Sequence, residues 1–147
     1  MPHFTLLLSQ GAPIIDLVIS PSSARSNALT EAGLSLPLPQ QIRGLIDTGA
    51  SNTCIDPTVF DALKLQRTGS VPVITPSTGQ VPVDADTYDV NLSILNRGAQ
   101  PLLFENMEVT ASDLLFAQGF HALVGRDILS QCILIYNGSN DMFTLSY

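Results

Sequence analysis

The chain has 147 residues, 45% of them hydrophobic, and a formal net charge of -7, which allows one well-packed core and is short for two. Thirteen acidic residues stand against six basic ones with no Lys/Arg cluster, so neither nucleic acid nor an anionic membrane surface is expected as the main partner. No run approaches the roughly 18 apolar residues of a membrane span, the start "MPHFTLLLSQGAP" lacks the n- and h-regions of a signal peptide, and two cysteines make no disulfide framework; a soluble, cytoplasmic, single-module protein over 1–147 is expected.

In chain order, "HFTLLL" and "PIIDLVIS" read as strands, with Gly11-Ala12-Pro13 as a hairpin turn between them. The segment 20–41, "SPSSARSNALTEAGLSLPLPQQ", is rich in Ser, Pro and Gln and reads as a long surface loop carrying at most one helical turn. "IRGLID" is an apolar strand that ends on an acid. A short helix follows in "DPTVFDALKL", with Asp56 as its cap, Pro57 at the first helical position, and Val59, Phe60 and Leu63 on one face. Further strands are expected in "VPVIT", "VPVDADTYDVNLSIL" and "PLLFENMEVT", with a turn at Ser77-Thr78-Gly79. Asp84, Asp86 and Asp89 alternate imperfectly and read as a solvated face. "HALVGRDIL" is a strand running through glycine into a second short helix, and "CILIY" and "MFTLSY" form a hairpin about Asn137-Gly138. The sum is an all-β fold with one or two short helices and no internal repeat.

Most chemistries lack their residues. His3 and His121 are far apart and in no zinc-type spacing, so no metal site is expected. Cys54 and Cys132 lie in apolar contexts that suit buried, reduced thiols. Neither a nucleophile-elbow glycine pattern nor a phosphate-binding glycine loop is present.

Asp47-Thr48-Gly49 is open to two readings. Aspartate before a tight turn caps local backbone in many proteins. It also suits acid catalysis by paired carboxylates, because two aspartates held together cannot both ionise easily and one keeps a proton that the other can use. Glycine then lets a peptide backbone approach closely.

Together, "LIDTGAS" and "ALVGRDIL", in that order and with the hairpin of 71–90 between them, resemble the retropepsin-like aspartic proteases, across roughly Pro13 to Tyr147. The resemblance implies a closed acid-protease barrel acting as a homodimer on an extended peptide or unfolded protein, without cofactor. It implies Asp47 as the catalytic residue, Thr48, Gly49, Ala50 and Ser51 beside the substrate, and Thr78 and Gly79 at the tip of a flap. Gly125, Arg126 and Asp127 would support the site from beneath. Asp127 is open to being a helix-end residue or the partner of Arg126. Ser51 and Asn52 stand where the viral enzymes carry acids, and the hairpin after the second motif is more similar to cellular and bacterial members. The rival reading is a non-catalytic dimeric module of the same fold that binds peptides or only holds two chains together.

Overall fold

Burial alternates along β2 (Ile14–Pro21): Ile15, Leu17 and Ile19 are essentially inaccessible, and the residues between them are half-buried. That period of two is what a strand with one face on a core requires. The computed structural model describes residues 1–113 and 118–147. The other strands are β1 (His3–Leu7), β3 (Gln40–Ile46), β4 (Cys54–Ile55), β5 (Gly69–Val73), β6 (Val83–Ile94), β7 (Leu102–Ala111), β8 (Ala122–Val124), β9 (Ile133–Asn137) and β10 (Met142–Ser146), with helices α1 (Ser23–Glu31), α2 (Pro57–Ala62) and α3 (Arg126–Leu129).

Strands pair in the order β2-β3-β8-β4-β7-β6, and β6 pairs again with β2, so this sheet closes on itself as a six-stranded barrel. Closure leaves these strands no open edge. β6 outruns the ring. Its residues 90–94 pair with β2, while 83–87 pair with β5 in a hairpin that projects beyond the barrel. A second sheet, β1-β10-β9, lies against the barrel and buries Phe143 and Leu145 in the common core. Its opposite face presents Leu7, Met142, Thr144, Ile133 and Ile135.

Two expectations need correction. The expected loop 20–41 is helical over Ser23–Glu31, with strand at either end, and Ser22 and 32–39 lie outside regular structure. This helix buries Leu29 alone, so no apolar stripe announces it; its amino end is held instead by polar bonds. Ser22 Oγ caps Arg25 N, Asn91 Oδ1 accepts from Ser23 N, and Asn106 Oδ1 accepts from Ala24 N. The turn at Gln10-Gly11 forms, with Ser9 and Ala12 exchanging both backbone bonds, yet it joins strands of different sheets and makes no hairpin of β1 with β2. The other two turns do close hairpins, β5 with β6 and β9 with β10. β4, two residues long, was not foreseen.

Candidate active site

β3 carries the chain to the site. Ile42, Gly44 and Ile46 face inward, and a Cβ at Gly44 would stand 2.7 Å from Leu17 Cδ1 and 3.2 Å from Val124 Cγ2, so a side chain there would displace core side chains. β3 pairs in parallel with β8 up to Ile46 opposite Val124. One residue on, Asp47 N donates to Val124 O at 3.0 Å and the chain turns, with Ala50 N returning to Asp47 O at 3.2 Å.

The Asp47 carboxylate is half-buried and held at one oxygen. Gly49 N donates to Oδ1 at 2.8 Å, and a Cβ on residue 49 would stand 3.1 Å from that same oxygen. Oδ2 has no donor among the described residues, and no second acid is bonded to this carboxylate. Thr48 and Gly49 are exposed beside it, and Ala50 is half-buried.

The rest of the loop is fastened to the chain that follows β8. Arg126 N donates to Ala50 O and Asp127 N to Ser51 O. The Arg126 guanidinium forks around the loop, with Nη1 on Thr48 O at 2.9 Å and Nη2 on Ser51 Oγ at 3.0 Å. A serine hydroxyl takes one arm of the arginine and a backbone carbonyl takes the other. Asp127 turns the other way. Its Oδ2 accepts from Thr53 N at 2.7 Å and its Oδ1 from Thr53 Oγ1 at 2.8 Å and from Ile128 N at 2.9 Å, so it lies in the first turn of α3 and does not pair with Arg126. Thr53, fully buried, passes the arrangement on by accepting from Gly125 N at 3.1 Å. Gly125 itself is required by space, because a Cβ there would fall 2.6 Å from Asn52 C and 2.7 Å from Asn52 O. Loop 47–53 and segment 124–127 are thus one rigid unit, with the carboxylate at its open edge.

The sequence matches the family described as "Aspartyl protease" over residues 39–134, a span holding both the carboxylate loop and the segment that braces it. The chain belongs to the aspartyl protease family. Its fold is the retropepsin-like one: a crystal structure of a retropepsin-like aspartic protease from Rickettsia conorii superimposes with a TM-score of 0.58 at 17% identity, over 99% of this chain and 91% of that one. The EIAV protease complexed with the inhibitor HBY-793 aligns with 82% of this chain and 86% of its own, at 18% identity and a TM-score of 0.41. No curated protein sequence matches.

In this aspartyl protease the hairpin β5–β6 carries Thr78 and Gly79 at its tip. Thr78 is tied into a local cluster, donating from Oγ1 to Thr75 O at 3.0 Å and accepting from Thr75 N at 2.9 Å, and Ser77 Oγ lies 2.8 Å from Thr75 Oγ1. Gly79 takes a φ of +65°, which suits glycine. Asp86 of the same hairpin pairs with Arg67 at 2.9 Å on its exposed face. Behind the carboxylate loop, burial pushes the Cys54 thiol up, helped by the charges of Asp127 and Asp47. Among the described residues no group of three His, Cys, Asp or Glu could hold a metal ion, and no helix is long and apolar enough to cross a membrane.

Sequence reasoning missed Thr53. Its signal was faint: one more hydroxyl in the polar run Ser51-Asn52-Thr53, six residues after the acid, with nothing to mark Asp127 as its partner.

Proposed function

We propose that residues 1–147 form a single aspartic endopeptidase module that becomes complete as a homodimer, with the Asp47 carboxylates of two copies meeting across a two-fold axis. The observation that carries this is the state of Asp47 in one chain: Oδ1 is pinned by Gly49 N, and among the described residues Oδ2 has no donor and no second acid is bonded to the carboxylate. A general base and a general acid are both needed for peptide hydrolysis by this route, and a chain with one Asp-Thr-Gly and no internal repeat has only one to offer.

With two copies assembled, the pair shares one proton. The ionised carboxylate takes a proton from a water held between them as the water oxygen attacks the peptide carbonyl, and the protonated carboxyl gives its proton to the carbonyl oxygen. When the tetrahedral intermediate collapses, the carboxyl that took the water's proton gives it to the departing amine as the C–N bond breaks, and the other carboxylate takes a proton from a hydroxyl of the intermediate as the carbonyl re-forms, which returns the pair to one shared proton. Thr48 locks the two loops to each other, while Gly49, Ala50 and Ser51 line the peptide and the Gly49 backbone bonds it. Hairpin β5–β6 closes over an extended strand of substrate with Thr78 and Gly79 at its tip. Gly125, Arg126 and Asp127 hold the loop geometry. The outer face of β1-β10-β9, with Leu7, Ile133 and Ile135 exposed, supplies apolar area for assembly.

The test mixes wild-type chain with increasing excess of Asp47→Asn under conditions that allow subunit exchange, and follows cleavage of a denatured protein at fixed wild-type concentration. Activity per wild-type chain should fall as mixed dimers form, and Asp47→Asn alone should be folded and inactive. Undiminished activity with exchange verified by light scattering would refute the shared site, and cleavage by pure Asp47→Asn would remove Asp47 from the chemistry. A folded dimer that binds peptide and cuts nothing in either form would be the non-catalytic module.

A further inference from the structure

A cleft of about 220 Å³ opens between the start of α1, the approach to β5 and the middle of β6. Ser22 and Arg25 line it from the first of these, Leu65, Gln66 and Arg67 from the second, and Asp89 from the third. It shares no residue with the carboxylate loop, with the segment that braces that loop, or with the hairpin tip.

Its polar groups have bonds to spare. Arg25 is the third residue of α1, where the helix dipole disfavours a cation, and its guanidinium makes no hydrogen bond or ion pair among the described residues. The same is true of the Asp89 carboxylate and the Gln66 side-chain amide. Arg67 bonds to Asp86 Oδ1 through Nη1 alone, at 2.9 Å, and the rest of its fork is unused. Ser22 is 4% exposed; its Oγ accepts from Arg25 N, and its hydroxyl proton has no acceptor among the described residues.

Charge and size narrow the ligand. Two guanidiniums are balanced by Asp86 and Asp89, and Glu108 stands opposite Asp89 in the ladder, so a bare anion gains from the arginines and loses to the acids. A molecule carrying both signs gains from each. Its carboxylate suits the arginine forks, its ammonium suits Asp89, and an apolar side chain can cover half-buried Leu65. The volume is that of about seven waters at roughly 30 Å³ each, below the roughly 300 Å³ at which drug-sized sites begin.

The walls of the cleft belong to different parts of the fold. α1 is held to the barrel by Asn91 and Asn106. Residues 65–68 run directly into β5, and Thr68 N and Arg67 Nη1 bond to Thr87 O and Asp86 Oδ1 on the other strand of the hairpin. We propose that the cleft binds a small zwitterion, a free α-amino acid or a dipeptide with an apolar side chain, and that the occupant ties the root of hairpin β5–β6 to the barrel. Whatever moves the hairpin then changes affinity for the zwitterion, and the reverse holds equally. Neither step depends on the chemistry of Asp47.

The chain is titrated with L-leucine and with leucyl-leucine while its amide NMR signals are followed. N-acetylleucine, leucinamide and inorganic phosphate serve as probes that lack one charge or the apolar group. One of the two zwitterions should saturate the chain with shifts at Ser22, Arg25, Gln66 and Asp89, and the tighter of them identifies the source. N-acetylleucine and leucinamide should bind at least tenfold more weakly, as should the zwitterion to Arg25→Ala, an exposed change, and to Asp89→Asn. Hydrogen exchange in β5 and in residues 83–87 should slow when the cleft is filled. No saturation by either zwitterion up to about 10 mM would overturn the site. So would equal binding of phosphate or N-acetylleucine, or undiminished binding to Arg25→Ala. Saturation that leaves exchange in the hairpin unchanged would refute the tie and keep the site.

Discussion

Replacing Thr53 by Val tests whether the bracing beneath Asp47 is energetic or merely descriptive. The two side chains have nearly the same shape, so the change removes a hydroxyl without opening a hole. Two bonds go: the one Thr53 Oγ1 accepts from the buried Gly125 N at 3.1 Å, and the one it donates to Asp127 Oδ1 at 2.8 Å. A buried amide left without an acceptor costs about 1–3 kcal/mol, and a hydrogen bond to a charged group contributes about 1.5–3 kcal/mol. Asp127 keeps its bonds from Thr53 N and Ile128 N, which favours the lower ends and a total of about 3 kcal/mol. For a chain of this size the melting temperature should drop by about 6–12 °C. Thr53→Ser keeps both bonds and gives up one methyl group, at about 0.8 kcal/mol. Urea unfolding of the three proteins, with kcat measured on one peptide, separates the contributions. Displacement of the loop should lower kcat of the valine variant by about ten- to a hundredfold. If Thr53→Val were as stable as Thr53→Ser to within about 0.5 kcal/mol, the relay from Asp127 through Thr53 to Gly125 would carry no weight, and the reasoning would fail.

Gly125→Ala should cost about 3 kcal/mol, the upper end for overpacking, because its Cβ would meet backbone atoms of Asn52 that no rotamer change can move; unfolding of a purified variant measures it. Cleavage should follow a bell-shaped pH profile on the acid side of neutrality, since a pair of coupled carboxylates works only when singly protonated; a steady rise into alkaline pH would count against the pair. Cys54 should be alkylated slowly at pH 8: burial first, then Asp127 and Asp47, raise its pKa, the thiolate is the reactive form, and so the rate should climb at higher pH than for a free thiol. Asp47→Asn, by removing one of those charges, should move that rise to slightly lower pH.

The strands were legible wherever apolar residues alternated or ran between turn signals, as in β2, β6 and β10, because burial on one face imposes the period directly. α2 was legible too, since Asp56 and Pro57 announce its start, and Thr58 N does bond to Asp56 Oδ1 at 3.0 Å. α1 was not, because what holds it is remote: Asn91 and Asn106 come from strands far along the chain, and no local pattern forecasts a bond between them and Ser23 or Ala24. β4 escaped for a similar reason, as two residues contain no period and their pairing depends on β7 and β8 arriving on either side. At the site, Asp47, Gly49 and Gly125 could be picked out by residue type and order. The partners of Arg126 and Asp127 could not, because two neighbouring side chains diverge to opposite sides of the loop, and only the backbone path decides which goes where.

Asp47 is anchored to Val124, and Gly125 to Thr53, so the carboxylate loop cannot take its shape until a stretch about half the chain further on has been made and folded against it. During synthesis, which delivers the chain from its amino end, Asp47 therefore emerges long before the segment that shapes its surroundings. Barrel closure adds to the delay, since β2 waits for residues 90–94 and such distant pairings form slowly. In a nascent chain of this design the loop of Asp47 takes its bonded shape late, only after Val124 and Gly125, and so most of the chain's own length, have left the ribosome.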